Sequence, residues 1–155
     1  MTQWTYKGTP IDSTDVIALL TGRAAQSVYG FIYMLYFANN LAYIGKKNLW
    51  ITKELEPLKS GAARQGHIRY VKHRVNGQIT TFEAVQHETN WLNYRGSSKE
   101  TVGRVPLQRE ILEFCFSKRR LTYREFWWQV HFDVLENSSF LNANILGKFH
   151  RGNLH

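Results

Sequence analysis

The densest apolar stretch of the chain, residues 27–37, is made of aromatic and branched side chains, and a second at 41–44 follows after Ala38-Asn39-Asn40. Strand formers on either side of turn formers predict an antiparallel hairpin. Its register decides which side chains share a face, because they alternate across a strand. A two-residue Asn39-Asn40 loop pairs Tyr36 with Tyr43 and leaves Tyr33 on the other face. A three-residue loop pairs Phe37 with Leu41, Leu35 with Tyr43 and Tyr33 with Gly45. Both tyrosines then project from one face as diagonal neighbours, roughly 7–8 Å apart at the backbone. An asparagine in the left-handed region supports the longer loop. A hairpin whose aromatics only fill a core has the same pattern.

Elsewhere the pattern is more broken. Asp12 or Ser13 caps a predicted helix from Thr14 to Leu20 that Gly22 stops, so residues 1–26 read as an arm plus a short helix. Pro57 and Gly61 limit any helix after Gly45 to one short piece near Thr52 to Glu56. Residues 67–75 and 78–85 flank Asn76-Gly77, the strongest tight-turn dipeptide, and predict a second hairpin, a 64–86 insertion. Its first strand carries Arg69, Lys72 and Arg74 on both faces, which suits a finger tracking phosphates or an edge strand protected by charge. Ser97 or Ser98 caps a predicted helix over 99–102, whose free amides beside Arg95 could bind a phosphate. Residues 105–116 read as helix or strand. The segment 121–135 is a predicted helix, apolar on so many sides that it packs between layers: Tyr123, Phe126, Trp127, Val130 and Val134 form one stripe, Trp128 and Phe132 another. Glu125 falls in its first turn, where Thr122-x-x-Glu125 forms a capping box, and a carboxylate so placed also suits a divalent cation.

Composition narrows the class. At 155 residues and 43% hydrophobic, the chain makes one domain with one core. No stretch of ~20 apolar residues spans a membrane. The start carries Asp12 and Asp15 rather than a basic-then-apolar signal, so an intracellular, cytoplasmic protein is expected. Cys115 is alone and the six histidines form no helical pair, which argues against disulfides and zinc. A net charge of +8 points to a polyanion. Cations concentrate between Lys46 and Arg74 (Lys46, Lys47, Lys53, Lys59, Arg64, Arg69, Lys72, Arg74) and again at Lys118, Arg119, Arg120 and Arg124. Interleaved Trp50, Tyr70 and Tyr94 favour nucleic acid, DNA or RNA.

Gly30-Phe31-Ile32-Tyr33 and Tyr43-Ile44-Gly45, ten residues apart, resemble the paired motifs of the GIY-YIG nucleases, and residues 91–151 look like small phage-encoded members. The resemblance covers about residues 28–151, apart from the second hairpin. It implies an α+β fold, a small antiparallel β-sheet flanked by helices, with the basic hairpin as an extra. It implies catalytic roles for Tyr33 and Tyr43, a basic residue on the helix after the second motif, a metal-binding Glu125, and an asparagine that Asn142 or Asn144 supplies. Lys53 stands where members usually have arginine; it keeps the charge but loses the bidentate fork, which Arg64 could restore. Asn144 joins the catalytic set. Lys46, Lys47, Arg69, Lys72, Arg74, Arg95, Ser97, Ser98, Asn142 and Lys148 are expected to contact DNA.

The implied enzyme is a homing- or restriction-type endonuclease that cleaves double-stranded DNA with one Mg²⁺ or Mn²⁺ on Glu125, as monomer or homodimer in a phage-infected cell. A free tyrosine, with pKa near ~10, needs nearby cations to act as a base, and either tyrosine could fill that role. A basic module that binds DNA without cutting it is the alternative.

Overall fold

In the computed structural model, which describes residues 2–154, Asn39 and Asn40 both adopt the left-handed conformation, with φ of 64° and 59°. They close a three-residue loop between two strands, and the longer-loop register follows: Phe37 opposite Leu41, Leu35 opposite Tyr43, Tyr33 opposite Gly45. In chain order the elements are β1 (Trp4–Tyr6), β2 (Thr9–Ile11), α1 (Thr14–Thr21), β3 (Gly30–Phe37), β4 (Leu41–Asn48), β5 (Trp50–Leu55), β6 (His67–Val75), β7 (Gln78–Glu88), β8 (Gln108–Cys115), α2 (Lys118–His131), β9 (Asn144–Ile145) and β10 (Phe149–His150). They divide into two compact units: the residues up to Leu49 with those from Asn90 onward, and Trp50–Thr89.

The first unit is α+β, around a five-stranded sheet in the order β2-β1-β8-β3-β4. The sheet is mixed rather than wholly antiparallel, because β1 runs parallel to β8. The expected arm is thus partly strand, followed by α1 with Ser13 as its cap and left-handed Gly22 as its stop. Residues 105–116 resolve as the buried strand β8. Alternation along β3 feeds two cores. Ile32 and Met34 pack with Ile44, Leu121, Val134 and Ile145. Phe31 and Tyr33 meet the ring of Trp4 edge-on, at 5.1 and 5.7 Å, and Phe31 also meets Trp91.

Helix α2 departs from expectation in three ways. Its cap is Ser117, which accepts from the Arg120 amide at 3.1 Å, so Thr122 caps nothing and Glu125 sits beyond the first turn. The chain leaves β8 at Cys115, and Ser117 is the first hydroxyl able to start a helix there. Leu121 and Gln129 are buried, but Tyr123, Trp127 and Val130 are exposed, so the helix is covered on one side only. It stops at His131, before Asp133 (φ 50°) and Glu136. The expected 99–102 helix is likewise absent. The amides of Thr101 and Val102 both turn back to the Ser98 carbonyl, and no regular helix follows.

The second unit is a three-stranded sheet in the order β5-β7-β6. Asn76 and Gly77, with φ of 51° and 79°, make the tight turn expected between β6 and β7. The short helix expected near 52–56 is instead β5, paired with β7 from Trp50 opposite Glu88 to Leu55 opposite Glu83. An open edge of β7 satisfies every second backbone group of β5, which outweighs the weak helical preference of so short a piece.

Candidate active site

The two tyrosines come together through a glycine. Tyr33 lies opposite Gly45, and a Cβ at that glycine would fall 2.5 Å from Tyr33 Oη and 2.9 Å from Tyr43 Cε1. Only a bare Cα lets the Tyr33 ring lie across β4 beside Tyr43, with ring centres 6.4 Å apart. A Cβ at Gly30 would strike the Lys47 carbonyl, so both glycines are required by close approach.

Edge position gives the site its composition. As the outermost strand, β4 offers side chains from both its faces to one rim. Tyr43 comes from one face and Lys46 from the other, where its Nζ donates to Thr122 Oγ1 at 3.0 Å and lies 3.8 Å from Glu125 Oε1. Residues 139–142 cover the strand edge. The Ala42 amide donates to the Ser139 carbonyl, and the side-chain amide of Asn142 both accepts from Ile44 N and donates to Ile44 O, at 3.1 and 2.8 Å. Gln129 of α2 donates to the same Ile44 carbonyl. The result is a polar cavity of about 210 Å³ whose lining includes Tyr43, Ser98, Glu100, Glu125, Asn142 and Asn144.

Its titrating groups are pushed in defined directions. Burial raises the Glu125 pKa, and Lys46 opposes that shift. Burial also raises Tyr43, and the charge of Glu125 adds to this, while a hydrogen bond from Ser98 works against both. Tyr33 is only 2% exposed; burial raises it furthest, and its hydroxyl donates to Tyr94 Oη at 3.5 Å. The tyrosines are therefore unlike: Tyr43 accepts a hydrogen bond at the cavity wall, whereas Tyr33 donates one in the core behind it.

The sequence model of the family described as "Putative endonuclease segE, GIY-YIG domain" matches residues 4–145, almost the whole chain. The protein belongs to the GIY-YIG endonuclease family. No curated protein and no solved structure gives a match. Membership makes this a nuclease domain whose substrate is DNA, and the fold is the α+β one that the resemblance implied. Among the described residues no helix is long and apolar enough to cross a membrane.

The remaining expected positions of this GIY-YIG chain scatter more widely. Asn144 lines the cavity and accepts from Gly147 N at 2.9 Å. Asn142 also lines it, with both ends of its amide held by Ile44. Lys47 lies over the Tyr94 ring at 4.2 Å and donates to Asn90, and desolvation lowers its pKa. Ser97 bonds the Tyr94 hydroxyl, and Arg95 and Lys148 are exposed. Lys53, Arg64, Arg69, Lys72 and Arg74 belong to the second unit. Lys53 stands on a strand, not on the helix that carries the family's basic residue. Arg64 is engaged within its own unit: its amide donates to Glu83 Oε1 at 3.0 Å, its Nε lies 3.6 Å from the same oxygen, and Nη2 donates to the Glu56 carbonyl. Three supports were not legible as supports in the sequence, where Tyr94 stood out only as an aromatic among cations. Tyr94 backs Tyr33. Arg109, buried on β8, donates to the carbonyls of Leu92 and Tyr94 at 2.8 Å and so holds the Tyr94 loop. Arg151 donates to the carbonyls of Val134, Phe140 and Asn142, which ties down the segment that closes the cavity. A lone arginine among ordinary residues looks like surface charge until its carbonyl partners, distant in sequence, are known.

Proposed function

We propose that the protein is a Mg²⁺- or Mn²⁺-dependent endonuclease that hydrolyses phosphodiester bonds of double-stranded DNA in the cavity between Tyr43 and Glu125. The observation that supports this best is the convergence of a motif tyrosine, a largely buried carboxylate and Lys46 at one polar rim. The donors suit a hard cation. Among the described residues no group of three or more His, Cys, Asp or Glu could hold a metal ion, so Glu125 would hold it with waters, a pattern usual for Mg²⁺. When bound, such an ion supplies a Lewis acid for the scissile phosphate and for the leaving 3′ oxygen.

The chain's own residues do the rest. Tyr43 Oη accepts a hydrogen bond from the attacking water and orients it, and the Ser98 hydroxyl, which lines the same cavity, bonds Tyr43. The water oxygen bonds to phosphorus as the P–O3′ bond breaks, the water's proton passes to solvent, and the 3′ oxygen takes a proton from solvent. Once the charge of Glu125 is neutralised, Tyr43 loses one of the forces that keep it a phenol. Lys46 and Lys47 hold phosphate oxygens at the rim. Asn144 positions the cavity lip, and Tyr33 supports Tyr43 rather than meeting the water. Arg95, Ser97 and Lys148 contact the DNA backbone near the rim. The likeness of residues 91–151 to small phage-encoded members supports a homing or restriction role in the cytoplasm of an infected bacterium.

The test is incubation of purified protein with supercoiled plasmid, with Mg²⁺ and with EDTA. Nicked or linear product in the first arm alone is expected. Tight plasmid binding with no cleavage under either condition would replace the nuclease with a DNA-binding module.

A further inference from the structure

Register sorts the cations of the second unit in a way the linear sequence hides. Side chains alternate along each strand, and paired residues share a face. Tyr70, Lys72 and Arg74 of β6 therefore stand on one face with Ile79, Thr81 and Glu83 of β7 and with Ile51, Lys53 and Leu55 of β5. The β-bulge at Ile68 precedes them and does not disturb this order. Arg69 points to the other face, together with His73, Glu54 and Glu88.

The two faces differ in charge. On the first, the one carboxylate is Glu83, which is buried and held by Arg64. Lys53, Lys72 and Arg74 are exposed there, and among the described residues none of them meets a carboxylate. Tyr70 and Ile79, 53% and 66% exposed, lie among them. On the second face Arg69 and Glu54 both lie opposite Ala84, so a carboxylate shares the cross-strand row of Arg69 and offsets part of its field. Glu54 Oε2 also lies 2.5 Å from His73 Nε2.

We infer that this sheet is a one-sided DNA-contact surface: Lys53, Lys72 and Arg74 engage the phosphates of duplex DNA, with Tyr70 between them, and Arg69 takes no part. The inference rests on the reading of duplex DNA as substrate. Exposed cations that meet no carboxylate release the counterions of a polyanion on contact, and an offset cation gains less. This corrects the simpler view that all the cations of the hairpin act alike.

The test is binding to a short duplex of arbitrary sequence, in EDTA so that nothing is cut, followed by fluorescence anisotropy across a salt series. The variants are Lys72→Gln with Arg74→Gln, Lys53→Gln alone, and Arg69→Gln alone. All four side chains are exposed, and unchanged far-UV circular dichroism verifies folding. The double variant should flatten the slope of log Kobs against log[salt] by about 1.8, and Lys53→Gln by about 0.9, whereas Arg69→Gln should leave it unchanged. An equal slope change for Arg69→Gln overturns the one-sided surface. Unchanged slopes in every variant, with salt-dependent binding by the parent protein, overturn the surface and leave the nuclease reading standing. A parent protein with no duplex affinity at low salt removes the reading beneath both. Losses confined to single-stranded DNA or RNA probes also overturn the inference.

Discussion

The two units are held together by different forces. Around β3 and β4, aromatic side chains are buried on both sides of the sheet, and the positions that matter are over-determined: Gly45 admits the Tyr33 ring, Asn142 and Gln129 grip Ile44, and Arg109 holds the Tyr94 loop. In Trp50–Thr89 the buried residues are Glu83, Ala84 and Val85, and backbone pairing does most of the holding. A reacting constellation needs its groups fixed to a fraction of an ångström, which packing provides. A phosphate-tracking surface needs charge on a frame whose side chains remain free to follow the duplex. The functions proposed above require both of one chain, and substitutions should separate them.

The largest effect belongs to the packed unit. Glu125→Gln should lower plasmid cleavage by roughly 10³-fold, consistent with losing several kcal/mol of charge stabilisation, while duplex affinity stays the same or rises. It should also lower the Tyr43 pKa, since a negative neighbour that disfavours phenolate is gone; ultraviolet titration of the tyrosines reads this. Cleavage at the parental rate with unchanged Mg²⁺ dependence would move the metal site elsewhere.

Next comes the contrast between the tyrosines. Tyr43→Phe should cost about 10²-fold or more in rate, in the range of a lost proton-handling group. Tyr33→Phe, which removes one long hydrogen bond in the core, should cost less than about tenfold. If Tyr33→Phe proved the more damaging, the assignment of the water-facing role would reverse.

Packing itself is tested by Gly45→Ala. The new methyl meets Tyr33 and should cost about 1–3 kcal/mol, read as a lower melting temperature together with lost activity. Ile79→Ala, at an exposed position of the second unit, should change stability by less than about 0.5 kcal/mol. Comparable losses at the two sites would erase the distinction between the units. The smallest effect is expected at the half-exposed His73–Glu54 pair, where Glu54→Gln should shift stability by under about 0.5 kcal/mol at neutral pH and leave DNA binding intact.

Local chemistry determined what local chemistry can reach. The Asn39-Asn40 loop, the Asn76-Gly77 turn, the Ser13 cap and the Gly22 stop were legible because each depends on a few adjacent residues and their backbone preferences. The hairpin register was narrowed to two alternatives, and the left-handed Asn39 and Asn40 select the three-residue loop that sets Tyr33 beside Tyr43. The order of motif segments along the chain carried the family. Tertiary structure decided everything that depends on distant partners. Residues 52–55 are strand because β7 offers an edge, and β1 is strand because it lies against β8. Glu125 moved out of the first turn because Ser117 starts the helix earlier. Even the difference between two tyrosines of one motif pair arose this way: Ser98 donates to one and Tyr94 accepts from the other, and neither is adjacent in sequence. Hydrogen bonds and burial depend on distance in space, and the sequence specifies that distance only through the folded whole.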